Sequence, residues 1–167
     1  MFQVNDVITY GAQGVCKIIG TEEKMMGGKK KNYFVLQPVR EKSATIFVPM
    51  DNMLALNKMR RLLTKAQVYK LIDSMRTEDT AWEENENARR ELYKSILAKG
   101  DHGELIRMIK SLYIQKKARE AAGKRLHMSD ERYFKDAEQI LYNEFQYVLG
   151  FDSKEELMNC IVTLLEK

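Results

Sequence analysis

Over the first fifty residues, apolar side chains fall in short runs: Val4, then Val7-Ile8-Thr9-Tyr10, Val15 to Ile19, Tyr33 to Leu36 and Thr45 to Val48. Their alternation puts successive side chains on opposite faces, so these runs predict strands. Gly11 and Gly14 suit a tight first hairpin, because glycine reaches backbone conformations closed to other residues. Met25-Met26-Gly27-Gly28-Lys29-Lys30-Lys31 suits a second hairpin tip, with a plain soluble loop as the alternative. Pro38 and Pro49 mark strand ends or edges, since proline has no N–H for a ladder, and Thr45 to Val48 is a candidate exposed edge.

After Pro49 the spacing becomes helical, with Met53, Leu54, Leu56, Leu62, Leu63, Val68, Leu71, Ile72 and Met75 recurring at three and four. Thr64 caps a linking helix that ends near Arg76. Thr77-Glu78-Asp79-Thr80 is a polar break, and Thr80 with Glu83 forms a capping box for a helix from Ala81 to Lys99, which Gly100 stops. Asp101 with Glu104 opens a helix to about Ala121, ended by Gly123. Ser129 caps another from Asp130 to about Leu149, closed by Gly150, and Ser153 with Glu156 opens a last helix to the C-terminus. The pattern is α+β: a small β-barrel over residues 1–55, then an all-α bundle over residues 56–167, of five helices counting the linking one.

At 167 residues, 44% hydrophobic and 31% charged, the chain suits a soluble globular protein of one ordinary or two small domains. Its apolar runs are far shorter than the ~20 residues that cross a bilayer, and no basic-then-apolar leader opens it, so a cytoplasmic location without a membrane partner is expected. Cys16 and Cys160 are too isolated for a disulfide framework or metal site and suit buried free thiols. The two histidines, His102 and His127, have no ligand partner at metal spacing, and Gly27-Gly28-Lys29 lacks the spacing and helix of a phosphate-binding loop. No nucleophile, acid–base pair or metal set emerges, which leaves no catalytic residues, no metal, no cofactor and no enzyme assignment.

The net charge of +4 is modest, but its distribution is not. Residues 107–125 hold seven cations against Glu120, a net of +6, while residues 77–91 hold six acids against Arg89 and Arg90, a net of −4. At 100° per residue Arg107, Lys110 and Lys117 lie within about 80° of one another, opposite Leu105, Ile109 and Leu112. Such a face can meet phosphates; two ordinary solvated faces are the alternative.

Asp6-Val7, Tyr10 and Gly14-Val15, followed by Tyr33-Phe34-Val35-Leu36 and Ile46-Phe47-Val48-Pro49, give the first fifty residues a distinctive order. In that order the chain resembles the CarD/CdnL transcription regulators, whose barrel is shared with the polymerase-interacting domain of transcription-repair coupling factors. Gly100-Asp101 followed by Leu105, Ile109, Leu112 and Tyr113, then Met128-Ser129 and Gln139-Ile140-Leu141 with Glu144, extends it through the helical part. The resemblance implies a Tudor-like barrel that docks edge to edge on the RNA polymerase β subunit. Here Lys24, Met26, Phe47, Val48 and Pro49 would make that contact; Phe47 stands where the family often has arginine, and packing of Phe47 into the barrel's own core is the alternative.

For the helical domain the resemblance implies contact with upstream promoter DNA at the edge of the melted region, through the minor groove, and an effect on open-complex stability. Trp82, Arg89, Arg90, Lys110, Lys117 and Arg132 are the implied contacts. The family follows its wedge tryptophan with basic residues, whereas Glu83, Glu84 and Glu86 follow Trp82, and counting back from Gly100-Asp101 places the family position nearer Glu86 or Asn87. Two readings of Trp82 stand: a minor-groove wedge, or packing within its own domain. Two readings of the protein stand as well: a regulator touching polymerase and promoter DNA, or a polymerase-bound adaptor with little DNA contact. A monomer is expected, with exchange of strand edges between copies as the alternative.

Overall fold

The computed structural model describes residues 1–77 and 81–165. The expected Thr80 cap and most of the polar break lie outside them, as do the last two residues, which the sequence assigns to the final helix. Two compact units divide the chain, Met1–Leu62 and Leu63–Lys167.

Among the described residues the first unit forms an open, barrel-like antiparallel sheet of five strands: β1 (Val7–Tyr10), β2 (Val15–Met26), β3 (Lys29–Pro38), β4 (Ile46–Pro49) and β5 (Met59–Arg61), in the order β4-β3-β2-β1-β5. Ile8, Cys16, Ile18, Leu36, Val48 and Met59 fill its core, each side chain contributing roughly 1.5–3 kcal/mol by leaving water. Between β1 and β2 the chain makes a short 3₁₀ turn, Gly11–Gln13, with Gly11 at φ 47° and Gly14 at φ 75°. The β2–β3 tip is a two-residue turn in which Gly27 and Gly28 both have positive φ, the requirement of a type I′ hairpin.

Three expectations change here. Strands β2 and β3 run well beyond Ile19 and start well before Tyr33, because the outer half of their hairpin is solvated on both faces and carries no apolar alternation. Val4 lies in a turn rather than a strand. Beyond residue 55, a four-residue helix α1 (Met53–Leu56) capped by Asn52 is followed by β5, whose pairing with β1 rests on backbone bonds that side-chain periodicity does not report.

Among the described residues the second unit packs five helices around Val68, Ile72, Tyr93, Leu105, Leu112, Leu141, Phe145 and Leu157. These are α2 (Lys65–Ser74), α3 (Glu86–Lys99), α4 (His102–Ala121), α5 (Met128–Leu149) and α6 (Lys154–Leu165). Thr64 and Gln67 form a full capping box on α2, Asp101 caps α4 through the Glu104 N–H at 3.0 Å, and Ser153 caps α6 through the Glu156 N–H at 3.2 Å. Gly100 and Gly150 end α3 and α5 in the left-handed conformation, as the sequence predicts.

Two helix starts differ from expectation. Helix α3 begins at Glu86, with Asn85 accepting from the Ala88 N–H at 3.0 Å, so Ala81 to Glu84 are not helical. Helix α5 begins at Met128, ahead of Ser129, and its cap residue His127 makes no side-chain capping bond. Asn85→Ala should therefore lower stability by about 1 kcal/mol, whereas Ser129→Ala should stay within about 0.5 kcal/mol of wild type, both measured by urea unfolding.

Candidate functional site

In the first unit the candidate site is the β4 edge, one of the two ends of the sheet. Strand β4 pairs only with β3, in the register Phe34 to Val48 and Val35 to Phe47, so its other side offers backbone donors and acceptors up to Pro49. Val48 is fully buried in the core, which removes its side chain from the expected contact set and leaves only its backbone at the edge. Phe47 points the other way and lies outside the core, 38% exposed and edge-on to Tyr33 at 6.4 Å. The alternative of a core-packed Phe47 is thereby set aside.

Lys24 reaches this ring because of a register shift between Ile18 and Gly20. Side chains alternate along a strand, so in an unbroken β2 Lys24 would share the inward face of Ile18; one extra residue moves Gly20, Glu22 and Lys24 to the outer face with Tyr33 and Phe47. The Lys24 Nζ then sits 3.4 Å from the Phe47 centroid, a cation–π contact of about 0.5–1 kcal/mol at an exposed site. Glu22 flanks it at 4.0 Å. Met26, 55% exposed, is carried farther out, next to the hairpin turn. The glycine inside the strand was the only sequence sign of the bulge.

In the second unit Arg89 is not on the surface. It is 3% exposed, and its Nε and Nη2 donate to both carboxylate oxygens of Asp130, itself 1% exposed, at 2.9 and 2.7 Å. Its Nη1 donates to the Glu83 carbonyl at 3.0 Å. Hydrogen bonding to Asp130 raises the Arg89 pKa further, so the guanidinium stays charged at any pH the fold survives. Burial pushes the neighbouring Tyr93 phenol up to about 12. Arg89 is thus a structural tie between α3 and α5 and is withdrawn from the expected phosphate contacts. The exposed Asp130 that a helix N-terminus usually carries is likewise spent inside.

Trp82 belongs to the same cluster. Its ring lies 4.5 Å from the Arg89 guanidinium and packs, half-buried, against the helical core, while the Ser111 hydroxyl donates to the Ala81 carbonyl at 3.1 Å. Residues 81–85 therefore form a strap fastened at Ala81, Trp82 and Glu83, with Glu83, Glu84 and Glu86 exposed. The sequence pattern predicts Trp82 on the first turn of a helix; the strap gives it a different setting.

The remaining candidates are accessible. Arg90 is partly exposed and ion-paired with Glu86 at 2.8 Å; an i,i+4 pair of about 0.3–0.5 kcal/mol yields readily to a phosphate. On α4, Leu105, Ile109 and Leu112 are buried and Arg107 and Lys117 exposed, as their spacing requires, while the Lys110 ammonium lies 3.5 Å from the Arg76 carbonyl. Arg132 is exposed on α5, beside a cleft of about 630 Å³ between the end of α4 and the start of α5. Four cations, Lys116, Arg125, Arg132 and Lys135, face three carboxylates there, with Lys116 and Glu131 paired at 3.2 Å, so the cleft carries mixed charge.

Sequence reasoning missed one buried polar set. Glu144 is 2% exposed, accepts from the Leu63 N–H at 2.9 Å and meets the His102 Nε2 at 2.6 Å, joining the start of α4, the chain before α2 and the middle of α5. An acid among apolar positions on α5 was the available signal. Among the described residues no group of three or more histidine, cysteine or acidic side chains could hold a metal, and no helix is long and apolar enough to cross a membrane.

Residues 2–63 match the family model of the CarD-like/TRCF RID domain, and residues 70–161 match that of the CarD C-terminal domain. No curated protein matches the chain significantly. Removing one side of the buried pair strands the other: Arg89→Met and Asp130→Leu should each cost about 3–5 kcal/mol, and the double variant should recover much of that loss, as read from paired urea unfolding curves.

Proposed function

The chain belongs to the CarD family of RNA polymerase-interacting transcription regulators, and on that premise we propose that the β4 edge docks on the polymerase β subunit while the helical unit leans on upstream promoter DNA to shift the balance between closed and open complexes. The observation that carries this reading is the free β4 edge beside an outward Phe47 and Lys24. Strand addition to such an edge draws affinity from backbone bonds and specificity from alternate side chains, and Phe47 supplies the apolar contact where an ion pair is usual in the family. On the helical unit Arg90, Lys110, Lys117 and Arg132 face phosphates, and Trp82 is the residue to test as a wedge. Regulation then follows from differential affinity, because a binder indifferent to the two states of the promoter shifts neither.

One observation favours a second reading, in which the helical unit grips another protein rather than DNA. Trp82 is sheathed by Arg89, and the acids Glu83, Glu84 and Glu86 beside it repel phosphate most strongly at low salt.

Pull-down with the β-subunit lobe should lose about tenfold or more in affinity on Phe47→Glu; a wild-type protein that captures no β lobe would sink the docking half. In a promoter-melting assay Trp82→Ala, first checked for folding by circular dichroism, should slow open-complex formation. DNA affinity of the wild type should also fall steeply with salt, whereas an adaptor gives no slope.

A further inference from the structure

Helix α4 carries a second aromatic candidate that the reading above leaves unused. Along one arc of about 120° lie Arg107, Lys110, Tyr113, Ile114 and Lys117, three cations and two apolar side chains. Tyr113 is 53% exposed and Ile114 45% exposed, and Lys117 stands 5.6 Å from the Tyr113 centroid. The opposite side of the same helix buries Leu105, Ile109 and Leu112, and past the buried Ile106 the second half of the arc, Tyr113, Ile114 and Lys117, is exposed. Trp82, in contrast, already has its ring against Arg89 and the core.

We infer that this arc binds an unpaired DNA strand, with a base stacked on Tyr113 and phosphates against Lys110 and Lys117. An exposed ring has nothing to stack on in a paired duplex, where base faces are already occupied; an unpaired base offers its face, and the flanking ammonium groups meet the backbone. The three cations on the arc, Arg107, Lys110 and Lys117, supply the charge complementarity. From Arg107 to Lys117 the helix rises about 15 Å, which at roughly 3.4 Å per nucleotide matches about four nucleotides, the lower end of known single-strand site sizes. The ammonium of Lys117 sits on a flexible stem and can leave the ring face for a phosphate as the base arrives. This inference rests on the proposed DNA contact of the helical unit and assigns it the melted strand.

The test uses the full chain and fluorescence anisotropy at low salt, with labelled oligothymidylate, its abasic analogue, oligouridylate, and a duplex of equal length titrated in parallel. Tyr113→Ala should weaken oligothymidylate binding by about five- to a hundredfold and Tyr113→Phe by less than about twofold. The abasic strand should bind wild type as weakly as oligothymidylate binds Tyr113→Ala. Lys117→Gln should lower the slope of log affinity against log salt by about 0.7. Equal affinities for Tyr113→Ala and wild type overturn the inference, as does a clear preference for oligouridylate. Binding of duplex without single strand overturns it and leaves the promoter-contact reading standing; binding of neither overturns both.

Discussion

The helical unit depends on one buried ion pair. Taking an arginine and an aspartate out of water costs several kcal/mol per ion, and the pair is tolerable only because the fork of Arg89 meets both oxygens of Asp130 and its third arm meets the Glu83 carbonyl. Three features follow from that geometry. Helix α3 is fixed to the start of α5, the strap before α3 is drawn onto the core, and Trp82 gains a guanidinium lid. Because Arg89 is 3% exposed and closed off from solvent in this way, phosphate does not reach it, and the cationic surface of the unit falls to α4, Arg90 and Arg132.

The first unit is governed by register rather than charge. A single extra residue between Ile18 and Gly20 turns the outer half of β2 over, so that the side chains opposite Tyr33 and Lys31 belong to the solvent face. Without that slip Lys24 would lie on the inner side and Phe47 would lose its cation. The same hairpin ends in two glycines of positive φ, which hold its arms in pair register out to Met26 and Lys29. A small core thus supports a long, polar ribbon and, at β4, an edge suited to strand addition and open to it because no further strand of the sheet covers β4.

Much of the architecture was legible because it obeys local rules. Thr64, Asp101 and Ser153 cap helices through side-chain oxygens three residues from the N–H they accept, and Gly100 and Gly150 end helices where only a left-handed residue fits; both effects are decided within one turn. The apolar spacing of α4 placed Leu105, Ile109 and Leu112 inside and Arg107 and Lys117 outside. Local rules failed at the start of α3, where Thr80 with Glu83 and Asn85 with Ala88 are both acceptable caps by composition. The contact of Arg89 with Glu83 and of Trp82 with the core favours the later start, and neither contact has a sequence signature.

By itself, then, the sequence determined the α+β division, most helix ends, the hairpin tip and the polarity of α4, since each is fixed by neighbours within a few positions along the chain. Only the tertiary structure decided that Arg89 is buried and Arg90 is not, that Val48 is core and Phe47 surface, that Met59–Arg61 completes the sheet, and that Lys24 meets Phe47. Each of these turns on a partner tens of residues away, Asp130 for Arg89 and β1 for β5, or on a one-residue bulge that reverses the faces of a strand. Periodicity records which side of an element is apolar; it does not record which polar group on another element is waiting to neutralise a buried charge.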